Sequence, residues 1–213
     1  NIGCSLIQSH YGWENLDVLD LSSWIIHQGY KFRQVDVRNG LPYQTSTVDL
    51  IFASHFLEHL NYEQGEKFLR ECRRVIKPDT GAMRIIVPDG NLLMWMYFKY
   101  KDTVDDLGCN TRFSLDDFDE INEECAKSFT PMGKLWSILN AGHSASYDAE
   151  TLIKLLEKTG FSAKESRFRH VEKWPGSRGS ECYIGQQQIL REAIDMLHCI
   201  SLFVDALPTV DER

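Results

Sequence analysis

The stretch VDLIFASHFLEHL, residues 48–60, decides the fold that the sequence predicts. It opens on VDLIFA, a short apolar run typical of a strand that is buried on both faces. The letters that follow contain the spacing H-x-x-E-H, at His55, Glu58 and His59. Because these polar residues directly follow a buried strand, His55 is expected at its carboxyl end, the edge at which open α/β sheets bind ligands.

Strands and helices alternate around this run. Strands are predicted at 16–21, 31–37, 48–53 and 82–87, and a helix is predicted at 62–77, before Pro78. The order β, β, β, α, β predicts an α/β fold with a Rossmann-like, doubly wound and mostly parallel sheet that helices cover.

The remaining sequence predicts one domain over residues 1–213 with two additions. Residues 90–141 are expected to form a helical and acidic insertion, or lid, because much of this segment is rich in Asp and Glu. Residues 187–213 are expected to hold a C-terminal helix, with an amphipathic pattern over 187–207. Between the two additions, a helix is predicted at 148–158 and strands at 161–168 and 181–186.

Composition excludes several classes of protein. The formal net charge of -8 and the pI near 5.4 argue against a nucleic-acid binder, which needs clustered Lys and Arg. The six cysteines form no C-x-x-C pair, so we expect reduced thiols in a cytoplasmic protein. No apolar run approaches the length of a membrane span, and we expect no membrane segment and no signal peptide. Since the sequence begins directly on a motif, we expect further residues before Asn1.

The spacing H-x-x-E-H also occurs in zinc peptidases, where two histidines on one helix hold the metal. Such a site needs both histidines on one helix face and a third protein ligand. Here His55 is expected at the end of a strand, and nothing in the sequence singles out a third ligand. We therefore predict no metal site and keep a zinc peptidase only as a less favoured alternative.

Several motifs in residues 1–89 resemble, in order and spacing, a class I S-adenosylmethionine-dependent methyltransferase of the small-molecule group often labelled type 11. The motifs are NIGCS at 1–5, GWENLDV at 12–18, VDVRNGLPYQTSTVDLIFASHFLEHL at 35–60, LRECRRVIKPDTGAMRIIVPD at 69–89 and, later, GHSASYDAETLIKLLEKTGF at 142–161. The resemblance implies S-adenosylmethionine as cofactor and methyl transfer to a small-molecule or sugar-containing acceptor.

By this resemblance, the first motif would contact the cofactor through Asn1, Gly3, Cys4 and Ser5. Gly3 has no Cβ, so the backbone can approach a ligand there, and the amides of a following helix can bind a carboxylate. The group usually has a second glycine at the position of Ser5. That departure favours one alternative, a catalytically silent binding module with the same fold.

The ends of the next strands supply the other cofactor residues that the resemblance implies. Asp17, with Val18 beside it, is expected to accept hydrogen bonds from both ribose hydroxyls, as in dinucleotide folds, and Asp20 competes for this role. Asp36 would bond the adenine amino group while Val37 packs on the ring. Ser54 and His55 would line the floor of the cofactor site.

The catalytic candidates are His55 and His143, because an oxygen or nitrogen acceptor must lose a proton and histidine titrates near neutral pH. The aromatic residues Trp95, Tyr97 and Trp136 could form the wall of an acceptor pocket. A nicotinamide oxidoreductase is disfavoured because no strand is followed by G-x-G-x-x-G. The apolar C-terminal pattern is compatible with a homodimer.

Overall fold

The computed structural model describes residues 1–4, 12–100, 142–166 and 201–209. Their elements are β1 (Glu14–Asp17), α1 (Ser22–His27), β2 (Lys31–Gln34), β3 (Leu50–Ser54), α2 (Tyr62–Val75), β4 (Ala82–Pro88), α3 (Gly90–Tyr100), α4 (Ala149–Lys158), β5 (Phe161–Glu165) and β6 (Ser201–Pro208). Two short 3₁₀ turns lie at Val37–Asn39 and Leu57–His59.

Ile2 joins two groups of strands into one sheet. β1 pairs in parallel with β2, and β3 pairs in parallel with β4, while β6 lies antiparallel between β4 and β5. Ile2 forms parallel bridges with both Leu16 of β1 and Ala53 of β3. The order across the sheet is therefore β2, β1, Ile2, β3, β4, β6, β5, which confirms the predicted Rossmann-like, mostly parallel α/β architecture.

The centre of the sheet is apolar because helices cover it. Every residue of β4 is buried. Helix α2 packs its apolar side into the same core through Phe68, Leu69, Cys72 and Val75. Its first turn is closed by a capping box, in which Asn61 and Gln64 each accept a hydrogen bond from the other's backbone N–H. Asp148 caps α4 in a similar way, by accepting from the N–H of Thr151 at 2.8 Å.

The first predicted strand is displaced, and one helix was not predicted. β1 ends at Asp17, because the Asp17 carboxylate accepts from the N–H of Leu19 at 3.0 Å and turns the chain there. Helix α1 follows this turn. It spans only six residues and buries only Ile25, so it is too short for apolar spacing over several turns to have indicated a helix.

The prediction of a helix over 187–207 is wrong for its last part. Residues Ser201–Pro208 form β6, which pairs with a neighbour at each edge, and its side chains at positions 202–206 are buried. A continuous apolar run of this length fits a strand buried on both faces as well as a helix, and tertiary pairing decides between them. The rest of that prediction, the strand at 181–186 and the acidic part of the insertion lie outside the described residues, whereas Gly90–Tyr100 is helical.

A buried ion pair fixes the position of β6. Arg84 and Asp205 face each other in the β4–β6 register. Both guanidinium-to-carboxylate contacts are short, with Nε to Oδ1 at 2.6 Å and an Nη to Oδ2 at 2.7 Å. The Arg84 side chain is only 1% exposed. A charge this deeply buried depends on its partner, since water cannot replace the lost contact.

Asp205→Asn should therefore lower the free energy of unfolding by roughly 3–5 kcal/mol, because it leaves a buried guanidinium without its counter-charge. Chemical denaturation followed by circular dichroism measures the effect. Asp49→Asn is the matched control, since Asp49 pairs with Lys77 at the surface and should change stability by about 1 kcal/mol or less. Equal losses in the two variants would contradict a structural role for the buried pair.

Candidate functional site

A cavity of about 460 Å³ opens at the carboxyl ends of the parallel strands. Its wall comes from the segments that follow Ile2, β1, β2 and β3. The lining residues are Gly3, Leu16, Asp17, Val18, Leu19, Val35, Asp36, Val37, Arg38, His55, Phe56, His59, Leu60 and Gln64. Six residues selected from the sequence as cofactor contacts are thus brought together: Gly3, Asp17, Val18, Asp36, Val37 and His55.

Gly3 allows the chain to turn at the floor of this cavity. Its φ of 64° lies in the left-handed region, and a Cβ at this position would come within 2.4 Å of the Phe56 ring. The N–H groups of Gly3 and Cys4 both point at the carbonyl of Leu16, at 2.9 and 3.2 Å. The position therefore requires glycine for conformation and for space.

The two aspartates considered for binding the ribose lie in different environments. Asp17 lines the cavity at the end of β1, and the neighbouring Gln34 amide donates to the Val18 carbonyl at 3.0 Å. Asp20 does not line the cavity. Its carboxylate accepts hydrogen bonds from the side chain and backbone N–H of Ser22, and these bonds hold its pKa below the usual value.

Asp36 lines the cavity, and its carboxylate forms an ion pair with the side chain of Arg38. Its two oxygens accept from the guanidinium of Arg38 at 2.8 and 2.7 Å, and one of them also accepts from the Arg38 backbone N–H. The Arg38 side chain lowers the pKa of this carboxyl, so it is ionised at neutral pH. Val37 is buried beside it and offers an apolar surface to the cavity.

His55 has a strained backbone at the end of β3. Its φ is 48°, unusual for a residue other than glycine. The backbone N–H donates to the carbonyl of Ile86 at 2.8 Å, while the ring lies between Ser201, with Nε2 to Oγ at 3.1 Å, and Glu58, with Nδ1 to Oε1 at 3.3 Å. The side chain is thus held at the cavity by contacts from two directions.

Other residues selected from the sequence lie elsewhere. Asn1 lines a separate cavity of about 490 Å³ at the amino ends of β1 and β3, where its side chain donates to the Asn15 side chain at 2.8 Å. Cys4 and Ser54 are buried and do not line the cofactor-side cavity. Ser5 lies outside the described residues.

The candidate acceptor-pocket residues are also apart from this cavity. His143 does not line it, but its ring contacts that of His59 with a centroid distance of 5.0 Å. Trp95 is 46% exposed on α3, where Tyr97 packs against the ring of Phe98. Trp136 falls outside the described part of the chain.

Residues 11–83 match the family model described as a methyltransferase domain. The fold is similar to the PH0226 protein from Pyrococcus horikoshii OT3, with 12% identity, a TM-score of 0.52, and coverage of 98% of this chain and 80% of that chain. A second similar structure is a complex from Haloferax volcanii, in which the Trm112 methyltransferase activator binds a protein described as a methyltransferase. The matching chain of that complex has 10% identity and a TM-score of 0.51, and the match covers 92% of this chain and 72% of that chain.

The protein has the class I methyltransferase fold. The family resemblance seen in the sequence is therefore confirmed. An S-adenosylmethionine-dependent methyltransferase from Archaeoglobus fulgidus is similar as well, with 18% identity, a TM-score of 0.49, and coverage of 91% of this chain and 74% of that chain. The comparison with curated protein sequences found no match.

In this methyltransferase fold, the H-x-x-E-H residues do not form a peptidase site. His55 ends a strand and His59 ends a 3₁₀ turn, so the two histidines do not share a face of one helix. The geometry that zinc peptidases require is thus missing at these residues. Among the described helices, none is long and apolar enough to cross a membrane.

Part of the cavity wall of this methyltransferase fold was not predicted from the sequence. Phe56, His59, Leu60 and Gln64 line the cavity, yet only their position just after β3 could have indicated it. The turn Leu57–His59 redirects the chain and brings these side chains back to the strand ends. Such a turn is not specified by hydrophobic periodicity, which is why the prediction stopped at His55.

Gly3→Ala should destabilise the protein more than Gly29→Ala. Both glycines have positive φ, so each substitution costs about 1–2 kcal/mol for conformation alone. Only Gly3 adds a collision with Phe56, because no atom lies within 4 Å of a Cβ built on Gly29. The difference is measured as the change in denaturation midpoint of the two variants. If Gly29→Ala proved equally destabilising, close packing at Gly3 would be contradicted.

Proposed function

We propose that the protein transfers a methyl group from S-adenosylmethionine to a small-molecule or sugar-containing acceptor. The observation that carries this proposal is the single cavity shared by Gly3, Asp17 and Val37, which follow three adjacent segments of the parallel sheet. Cofactors of this kind bind at the carboxyl ends of such strands. The family match over residues 11–83 supports the same reaction.

Three features of the cavity suit the three parts of the cofactor. The turn at Gly3 lets the methionine portion approach the backbone. The carboxylate of Asp17 lines the cavity, and carboxylate oxygens are acceptors that suit the hydroxyls of a ribose. The side chain of Val37 can pack against adenine, while Asp36 keeps acceptor capacity beyond its bonds to Arg38.

Methyl transfer itself needs alignment and a route for one proton. A lone pair of the acceptor atom attacks the methyl carbon, the bond from that carbon to sulfur breaks, and its electron pair stays on sulfur to give the neutral thioether. The acceptor, if an oxygen or nitrogen, then releases a proton. We assign His55 to receive it, because its ring lines the cavity and is held between Ser201 and Glu58.

His143 remains a second candidate to receive this proton, although it does not line the cavity and only contacts His59, which does.

A cytoplasmic location and a homodimer also remain predictions. The acceptor is proposed to be small because the cavity of about 460 Å³ has to accommodate the cofactor, with little space left beside it.

Asp17→Asn should weaken binding of S-adenosylmethionine by about 10- to 100-fold, the effect of losing charge-assisted hydrogen bonds. The substitution keeps an oxygen for the N–H of Leu19, so the local turn is preserved. Asp20→Asn is the matched control and should leave affinity within about twofold, because Asp20 does not line the cavity. Isothermal titration calorimetry with the cofactor, and separately with its demethylated product, gives both affinities.

Turnover is tested by incubating the protein with S-adenosylmethionine and a panel of small hydroxyl, amine and sugar compounds. We expect the demethylated product to form with at least one acceptor, and Asp17→Asn to slow that reaction. Binding of the cofactor without turnover on any acceptor would favour the silent binding module. An absence of binding to both cofactor forms would contradict the proposed function.

A further inference from the structure

Beside the cavity, three side chains from two distant parts of the sequence form a cluster, which we call the Glu58–His59–His143 cluster. One potential ligand atom from each residue lies within 4.8 Å of those of the other two. Glu58 is buried, His143 is partly buried and His59 is exposed. The cluster therefore reaches from the core to the surface next to the cavity that His59 lines.

Glu58 has an unusual environment for a carboxylate. The residue is 1% exposed, and neither of its side-chain oxygens accepts a hydrogen bond from the described residues. The His55 ring, which could carry positive charge, lies close to it, with Nδ1 at 3.3 Å from Oε1. Burying a charged carboxylate without hydrogen bonds is strongly unfavourable, and a bound cation offsets this cost. A metal ion bound to the carboxylate would supply that compensation.

The ring of His59 can offer one nitrogen to a metal. Its Nδ1 lies 3.1 Å from the carbonyl oxygen of Gly142. A carbonyl oxygen can only accept, so Nδ1 carries the proton and the lone pair of the neutral ring is on Nε2. A histidine that binds a metal through one nitrogen commonly donates its other N–H to a backbone carbonyl in this way.

The backbone brings the distant His143 to the same place. The N–H groups of Ser144 and Ala145 both donate to the carbonyl of Glu58, at 2.7 and 3.0 Å. The hydroxyl of Tyr62 donates to the carbonyl of Ser146 at 2.7 Å. These bonds tie the segment 142–146 to the turn that holds Glu58 and His59. The cluster is thus built by main-chain contacts, independently of any attraction between its side chains.

The distances require only a modest adjustment to hold an ion. With metal-to-ligand distances of about 2.0–2.2 Å, ligand atoms in a tetrahedral site lie roughly 3.4 Å apart. The cluster spans at most 4.8 Å between ligand atoms. Small movements of the exposed His59 side chain and the partly buried His143 side chain would close the difference.

We propose that Glu58, His59 and His143 bind a divalent transition-metal ion, with Zn²⁺ as the representative of this class. Two imidazoles and one carboxylate suit such an ion, whereas Mg²⁺ and Ca²⁺ prefer sites made wholly of oxygen. Three protein ligands leave at least one coordination position open. Since His59 lines the cavity, that position can bind an oxygen of a molecule in the cavity and lower the pKa of a hydroxyl there.

The proposal revises the expectation that the chain has no metal site. That expectation concerned a peptidase arrangement, in which His55 and His59 share a helix. The ligands assigned here are different, because His143 replaces His55 and comes from a segment more than eighty residues away. Metal binding by the cluster does not depend on the proposed methyl transfer.

The test is a titration of the full-length, chelator-treated protein with Zn²⁺, followed by calorimetry, and with Co²⁺, followed by visible absorption. We expect one equivalent to bind. Glu58→Gln and His143→Ala should each weaken binding by about tenfold or more. His27→Ala removes an exposed histidine of α1 and is the matched control, expected to stay within about twofold.

Thermal melting of the metal-free variants shows whether each still folds. If Glu58→Gln does not fold, His59→Asn provides the same test from the exposed side of the cluster. Equal losses in His27→Ala, or no stoichiometric binding, would overturn the proposal. So would a cobalt-thiolate charge-transfer band, because it would place the ion on cysteine.

One further titration separates this proposal from the proposed function. Glu58→Gln should lose the metal and still bind S-adenosylmethionine, since Glu58 does not line the cavity. Asp17→Asn should show the reverse pattern, with weakened cofactor binding and unchanged Zn²⁺ binding. If metal binding failed while cofactor binding survived, only the metal proposal would be contradicted.

Discussion

The two bridges of Ile2 are the constraint on which the site depends. This residue pairs with Leu16 on one side and Ala53 on the other, and its N–H donates to the carbonyl of Phe52 at 2.8 Å. Without it, the β1–β2 pair and the four strands that begin with β3 would be separate sheets. Ile2 aligns the ends of β1 and β3, so that Asp17 and His55 line the same cavity.

The part of the fold that follows from local sequence patterns was predictable. Apolar runs predicted β3 and β4, and the apolar spacing that ends before Pro78 predicted α2. The end of the chain was not, because the apolar residues of 202–206 satisfy a helical and a strand pattern alike. Only pairing with β4 and the buried contact from Arg84 to Asp205 select the strand.

The candidate site, like the fold, was predictable only in part. Residues such as Gly3, Asp17 and Val37 were identified because their motifs resemble those of a methyltransferase group, and their place at the ends of parallel strands agrees with this. The contribution of His59 was not identified, since it depends on a 3₁₀ turn, and the proximity of His143 depends on hydrogen bonds to the Glu58 carbonyl. Contacts between segments so far apart in sequence have no local signature.

The position of β6 has a consequence for how the protein folds. Among the described strands β5 pairs only with β6, which in turn pairs with β4, although about 120 residues separate Arg84 from its partner Asp205. The edge of β4 therefore stays unpaired until residues 201–208 have been synthesised. During that interval an apolar strand edge is available to other chains, which makes the nascent protein most prone to aggregate just before translation reaches β6.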